Sequence, residues 1–192
     1  MRRYASVVIL ILVGSCSIFG GGPMVSDIDD ACTIIAERPD WYRAARNTES
    51  KWGLPPEVLF SIIWRESNFR PEAKTPRTYF LGFIPTGRVS TAYGYPQAID
   101  GTWDWYRRET GNRYASRESF RDAADFIGWY SRTTLRRNGI AQADAYHQYL
   151  AYHEGHTGYR RGNWKKKDWL LRAASAVRRQ SQIYRSQLSR CT

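Results

Sequence analysis

In the stretch PPEVLFSIIWRESNF, Val58, Leu59, Ile62 and Ile63 recur at the three-and-four spacing of one helix face, and Glu66 falls on the same stripe. A carboxyl group on an apolar stripe has two readings. Held against a core without a partner, it keeps its proton to a higher pH than in water, which suits a general acid working near neutrality. One turn from the helix end, it can equally reach solvent or pair with an arginine. A second constellation, His147, His153, Glu154 and His156, raises the question of a metal. It lacks the HExxH spacing that sets two histidines on one helical face, and Gly155 interrupts the helix, so no metal is expected and these histidines read as surface or cleft-edge residues.

The elements that must carry these residues are mostly helical. The pattern predicts a helix over Asp40 to Lys51 closing at Gly53, one opening at Pro55 and carrying Glu66, and one over Asp100 to Glu109 closing at Gly111. Ser116 reads as the cap of a long helix reaching about Arg137, with Asn138 and Gly139 ending it. Ala141 to Glu154 reads as a helix ending at Gly155, and a last helix runs from about Lys167 to Ser189. Between Arg70 and Tyr93 the stretch TYFLGFIPTGRVSTAYG is rich in aromatic and branched residues, with turn signals at Pro85 and Gly87; a small hairpin fits it. The fold class expected is mainly α, with one small β-hairpin.

Three short motifs stand in order along this scaffold: Glu66 and Ser67, then AYGYPQ at Ala92 to Gln97, then AYHEG at Ala151 to Gly155. Together they resemble the ES, GLMQ and AYNAG motifs of the soluble lytic transglycosylase family, over roughly Leu54 to Gly158. The resemblance implies a lysozyme-like fold and cleavage of peptidoglycan glycan strands at the β-1,4 bond between N-acetylmuramic acid and N-acetylglucosamine. It implies that Glu66 first protonates the bridging oxygen and then, ionised, takes the proton of the muramic acid 6-hydroxyl as a 1,6-anhydro ring closes. The substrate's own acetamido group supports the positive charge, so one carboxylic acid suffices and no cofactor is called for. The absence of any Asp or Glu between Glu72 and Asp100, where a lysozyme's second carboxylate would be sought, agrees with that scheme.

Other motif positions carry substrate-binding roles by the same resemblance. Ser67 would orient the acetamido group or cap the helix end. Gln97 would bond sugar in the cleft or stabilise a turn. Tyr152 would face the catalytic acid and hold its carboxyl, or be a core aromatic with a satisfied hydroxyl. The chain departs from the motifs where Tyr95 and Pro96 replace Leu and Met and where His153 replaces Asn, and the interval between Glu66 and Gln97 is long. Tyr95 and His153 are therefore expected to shape the substrate cleft. The extra length is the aromatic hairpin, whose Tyr79, Phe80 and Phe83 would either line a glycan subsite or, by the preferred reading, pack the hairpin onto the helices.

The amino terminus bears on compartment. Arg2 and Arg3 precede an apolar run from Ala5 to Val13 followed by small residues, the layout of a secretory signal and too short to span a bilayer comfortably. VGSC, ending at Cys16, resembles the bacterial lipobox, which implies a lipidated Cys16, and Ser17 after it favours the outer membrane with the chain facing the periplasm. The expected division is a leader over 1–15, a tether over 16–25 that includes Gly20 to Pro23, and one domain over 26–192. Of the three cysteines, Cys32 and Cys191 then remain as a disulfide pair in an oxidising space. The net charge of +11, or +9 without Arg2 and Arg3, favours an anionic partner. For an envelope chain that means lipid and cell wall rather than nucleic acid, and the basic residues are scattered as on ordinary solvated helix faces. Two other readings keep the same cleft: a hydrolytic muramidase in which water attacks, and a non-catalytic wall-binding protein.

Overall fold

The structure is a computed structural model and describes residues 25–81 and 84–192. The leader, Cys16 and most of the tether expected at the amino terminus lie outside the described residues, as does Phe83, and the side chains of Tyr79 and Phe80 are likewise not described. In chain order come α1 (Ala31–Glu37), α2 (Pro39–Trp52), α3 (Pro56–Ser67), strands β1 (Arg77–Phe80) and β2 (Ile84–Arg88), then α4 (Asp100–Thr110), α5 (Phe120–Asn138), α6 (Ala145–Arg161), a short 3₁₀ turn at Asn163–Lys166, and α7 (Asp168–Cys191). The strands pair antiparallel, Arg77 opposite Arg88, with an irregularity between Thr78 and Tyr79. The expected hairpin is therefore present in an otherwise helical domain.

Helix α5 is the axis of the molecule. It is apolar on most sides because α2, α3, α4 and α6 all pack on it, and it is buried from Phe120 through Thr134 apart from Arg121, Asp125 and Arg132. Gly128 permits the closest approach: a Cβ there would stand 2.4 Å from Thr48 Cγ2 and 2.7 Å from the Trp52 ring on α2. Aromatic rings fill the space around the axis. Trp41 stacks on Phe120 at 4.5 Å and on Phe69 at 5.4 Å, while Arg38 covers the ring at 4.2 Å.

Helix α7 turns Leu170, Ala173, Ala174, Val177, Tyr184 and Leu188 inward at helical spacing, against α3 and α6. Its far end is tied to the amino-terminal segment. The Tyr184 hydroxyl donates to the Ile28 carbonyl, the Ala31 N–H donates to Gln187 Oε1 at 2.9 Å, and Cys32 is disulfide-bonded to Cys191 with Cα atoms 5.8 Å apart. The bond spans 159 positions; a loop of that length stabilises by roughly 5 kcal/mol on the chain-entropy model. Val25, the last residue of the expected tether, is buried in the core.

Three local expectations are corrected. Ser119, not Ser116, caps α5: its hydroxyl accepts from the Asp122 N–H at 3.3 Å, while Ser116 belongs to the preceding turn. Helix α6 does not end at Gly155. Gly155 takes φ 73 and ψ 157, a kink, and the helix resumes to Arg161, where Tyr159 stacks on Trp164 at 5.5 Å. Residues 31–37 also form a helix, capped by the Asp30 carboxylate on the Thr33 N–H, which the apolar pattern alone had not marked.

Candidate active site

Helix α3 buries Val58, Leu59, Ile62 and Ile63, and Glu66 follows them on its last turn. The helix stops abruptly because Asn68 and Phe69 both take left-handed conformations, φ 49 and 56. For a bulky residue this conformation costs on the order of 1–3 kcal/mol, and stacking of the buried Phe69 on Trp41 holds it in place.

Glu66 lines a cavity of about 440 Å³ between the helices and the base of the hairpin. Thr75 and Ser90 come from the hairpin side, Gln97 to Ile99 from the loop before α4, Phe126 and Tyr130 from α5, and Tyr152 to Gly155 from α6. The carboxyl is raised from its ordinary 4.5 to about 7. Removal from water is the main cause; a hydrogen bond from the Tyr149 phenol and the Arg65 guanidinium favour the ionised form and only partly offset it. The carbonyl end of α3 points the same way as burial, since negative helix ends disfavour an anion. Tyr149 itself is buried, and burial with the facing carboxyl pushes its phenol up, so it stays a proton donor.

The loop opposite Glu66 is held by its own polar groups. Gln97, at φ 47, donates from Nε2 to the carbonyls of Ala73 at 2.8 Å and Gly94 at 2.9 Å. With both amide hydrogens taken, what it offers the cavity is its oxygen. Gly94 is required here twice over: φ is 75, and a Cβ would fall 2.3 Å from the Arg117 carbonyl oxygen. Arg117 in turn donates to the Ala98 carbonyl at 2.8 Å and pairs with Asp100 at 2.8 Å. The Tyr152 hydroxyl donates to the Pro96 carbonyl at 2.5 Å, fastening α6 to this loop.

Of the residues singled out in the sequence, Glu66, Gln97, Tyr152 and His153 meet at the cavity. Ser67 does not reach it: it is buried, and its hydroxyl donates to the Ile63 carbonyl at 3.1 Å one turn back, tying down the end of α3. Tyr95 does not either. It is buried edge-on to Trp41 and Phe120, because the loop turns at Gly94 and directs this side chain into the core behind the cavity. Tyr152 is spent on Pro96, and the phenol bonded to Glu66 is Tyr149, one turn earlier on α6. The i, i+3 spacing of Tyr149 and Tyr152 is the signal that could have pointed to it. Tyr130 had none, since α5 is apolar on most sides.

Glu154 is a second carboxylate on the cavity wall that sequence reasoning used only as a metal candidate. Its side chain is 5% exposed; both oxygens accept from Lys167 Nζ, at 2.7 and 2.9 Å, and Oε1 accepts from His153 Nδ1 at 3.2 Å. Burial works against its charge, yet these two donors bring its pKa below the ordinary value. The histidines do not converge. His147 pairs with Asp144 at 2.7 Å, whereas His156 is buried, stacks on Tyr130 at 4.3 Å, meets Thr134 Oγ1 at 3.1 Å and is pushed down to about 4 by burial. Among the described residues no three such groups are placed to hold a metal ion.

A family model described as transglycosylase SLT domain matches residues 4–191. The chain belongs to this family. As a transglycosylase SLT domain it is a peptidoglycan lytic transglycosylase, a lyase of the cell envelope, and its mainly helical architecture with Glu66 on a cleft is the lysozyme-like fold of such domains. A comparison with curated proteins returned no match. Among the described residues no helix is long and apolar enough to cross a membrane.

Proposed function

We propose that Glu66 alone supplies the acid and the base of a cleavage that leaves a 1,6-anhydromuramyl end. The observation that carries this reading is the Glu66 carboxyl, raised to about 7 on the wall of the cavity and therefore protonated in a large share of the resting enzyme near neutrality and in most of it below. Its proton passes to the oxygen bridging N-acetylmuramic acid and N-acetylglucosamine, the bond from that oxygen to the muramic anomeric carbon breaks, and the N-acetylglucosamine end leaves as an alcohol. The muramic acetamido oxygen supports the electron-poor carbon. The muramic 6-hydroxyl then bonds to that carbon and returns its proton to Glu66, so no water is consumed and the enzyme is restored. Glu154 does not take the role of a second catalytic carboxylate in this scheme. It is occupied by Lys167 and His153, and the groups that act on Glu66 are Tyr149 and Arg65.

Gln97 and His153 would bind the glycan, the first through its free amide oxygen. Ser67 and Tyr95 act instead through the fold. The decisive test is mass spectrometry of purified peptidoglycan digested by the protein beside Glu66→Gln. Anhydromuramyl products that vanish in the variant are the expected result; reducing ends would assign a muramidase, and no products from a folded wild type would assign a binding protein.

The reading includes a lipid anchor at Cys16 that tethers the domain to the outer membrane on its periplasmic side, supported by the apolar run and the VGSC segment. Radiolabelled palmitate incorporated by the full chain and lost in Cys16→Ala is the expected outcome, and equal labelling of both chains would remove the anchor.

A further inference from the structure

We infer that Trp169 is a sugar-stacking platform that extends the glycan cleft by one subsite beyond His153. The inference rests on the reading that the Glu66 cavity cuts glycan strands, and it starts from a position where this chain departs from the AYNAG motif: Glu154 stands where that motif has alanine. A buried anion on the wall of an active-site cavity is costly unless it is bonded, and Glu154 is bonded to two neighbours that both lead outward. Through Oε1 it holds the His153 ring, which lines the cavity with its side chain 37% exposed. Through both oxygens it holds Lys167, the residue immediately before α7. Two residues on, in the first turn of α7, Trp169 stands 50% exposed with its ring 4.9 Å from His153 and at 77° to it.

The cavity that holds Glu66 is lined by His153, and the His153 ring meets the open indole of Trp169; Glu154 holds His153 directly and, through Lys167, the start of the helix that carries Trp169. An exposed apolar side chain by itself means little. An indole anchored edge-on to a cavity-lining ring, with an ammonium group and an imidazole nitrogen nearby, has the make-up of a carbohydrate subsite: a flat apolar surface for the sugar's C–H face and polar groups that can hydrogen-bond its hydroxyls. Lys167 has given two of its three hydrogens to Glu154, which leaves one for a sugar. Glu154 is then a positioning residue, and Trp169 a binding residue that reads strand length.

The test uses peptide-free glycan strands of graded length. Trp169→Ala should raise KM roughly tenfold on long strands, equivalent to about 1.4 kcal/mol, with kcat unchanged, and should match wild type on the shortest strand that is cut. Trp169→Tyr, which keeps a flat ring, should recover most of the loss. A loss that is equal at every length, or no loss on long strands, would overturn the subsite; so would an effect confined to strands that carry stem peptides. Affinity of Glu66→Gln for long strands, with and without Trp169→Ala, tests the same platform without catalysis. A wild type that cuts nothing while Trp169→Ala still weakens strand binding would sink the reaction and leave the subsite standing.

Discussion

The Tyr152 hydroxyl donates to the Pro96 carbonyl over 2.5 Å, and this bond sorts the two phenols of α6. Tyr152 secures the loop that bears Gln97, and Tyr149, one turn earlier, is free to donate to Glu66. The Gln97 loop and the proton affinity of the acid are thus managed by different residues of one helix face.

Because Glu66 must be protonated at the start of the reaction, kcat/KM should fall as pH rises through about 7. Glu66→Gln should lower kcat on the order of 100- to 10,000-fold, with KM little changed, and the residual rate should lack that limb. A pH–rate profile with no change near 7 would refute the assignment.

The Tyr149 hydrogen bond favours the ionised carboxyl, so Tyr149→Phe should push the Glu66 titration further up. The falling limb of the profile should move to higher pH, while Tyr152→Phe should leave it in place and act through the Pro96 loop instead. An unmoved limb in Tyr149→Phe would show that the phenol does not touch the acid.

The raised carboxyl also costs stability. Above its unfolded value near 4.5 the unfolded chain releases a proton that the native one keeps, so stability falls as pH climbs from 4.5 to about 7 and stays reduced beyond. Glu66→Gln should therefore gain over wild type between pH 4 and pH 8, by at most roughly 3 kcal/mol. His156 has the opposite sense: buried neutral with its value lowered to about 4, it withdraws stability as pH falls from 6.5 toward 4. Denaturant unfolding of both chains at the two pH values checks the difference, and parallel curves would contradict it.

Tyr95 belongs to the core and not to the cleft. Tyr95→Phe should retain kcat/KM within about twofold, whereas Tyr95→Ala should lose about 3–5 kcal/mol of stability through the cavity left against Trp41 and Phe120. Thermal melts beside steady-state kinetics separate the two, and a large kinetic loss in a stable Tyr95→Phe would return the residue to the substrate.

Much of this was legible along the chain. Local periodicity identified the main helices and put Glu66 on a buried stripe, because the side chains at three-and-four spacing share a face whatever surrounds them. Turn chemistry located the hairpin, and the order of three short motifs indicated the family. Side-chain direction and partner choice were decided only in three dimensions. Ser67 lies next to the acid in sequence, but a helix rotates neighbours about 100° apart, and it faces the core. The left-handed turn at Gly94 sends Tyr95 inward while Gln97 faces the cavity. Glu154 finds Lys167 across 13 positions, whereas the Cys32–Cys191 pair had already followed from the count of cysteines. Contacts of that kind depend on how α5 gathers the other helices around it, and burial, which sets the proton affinity of Glu66, exists only once they have packed.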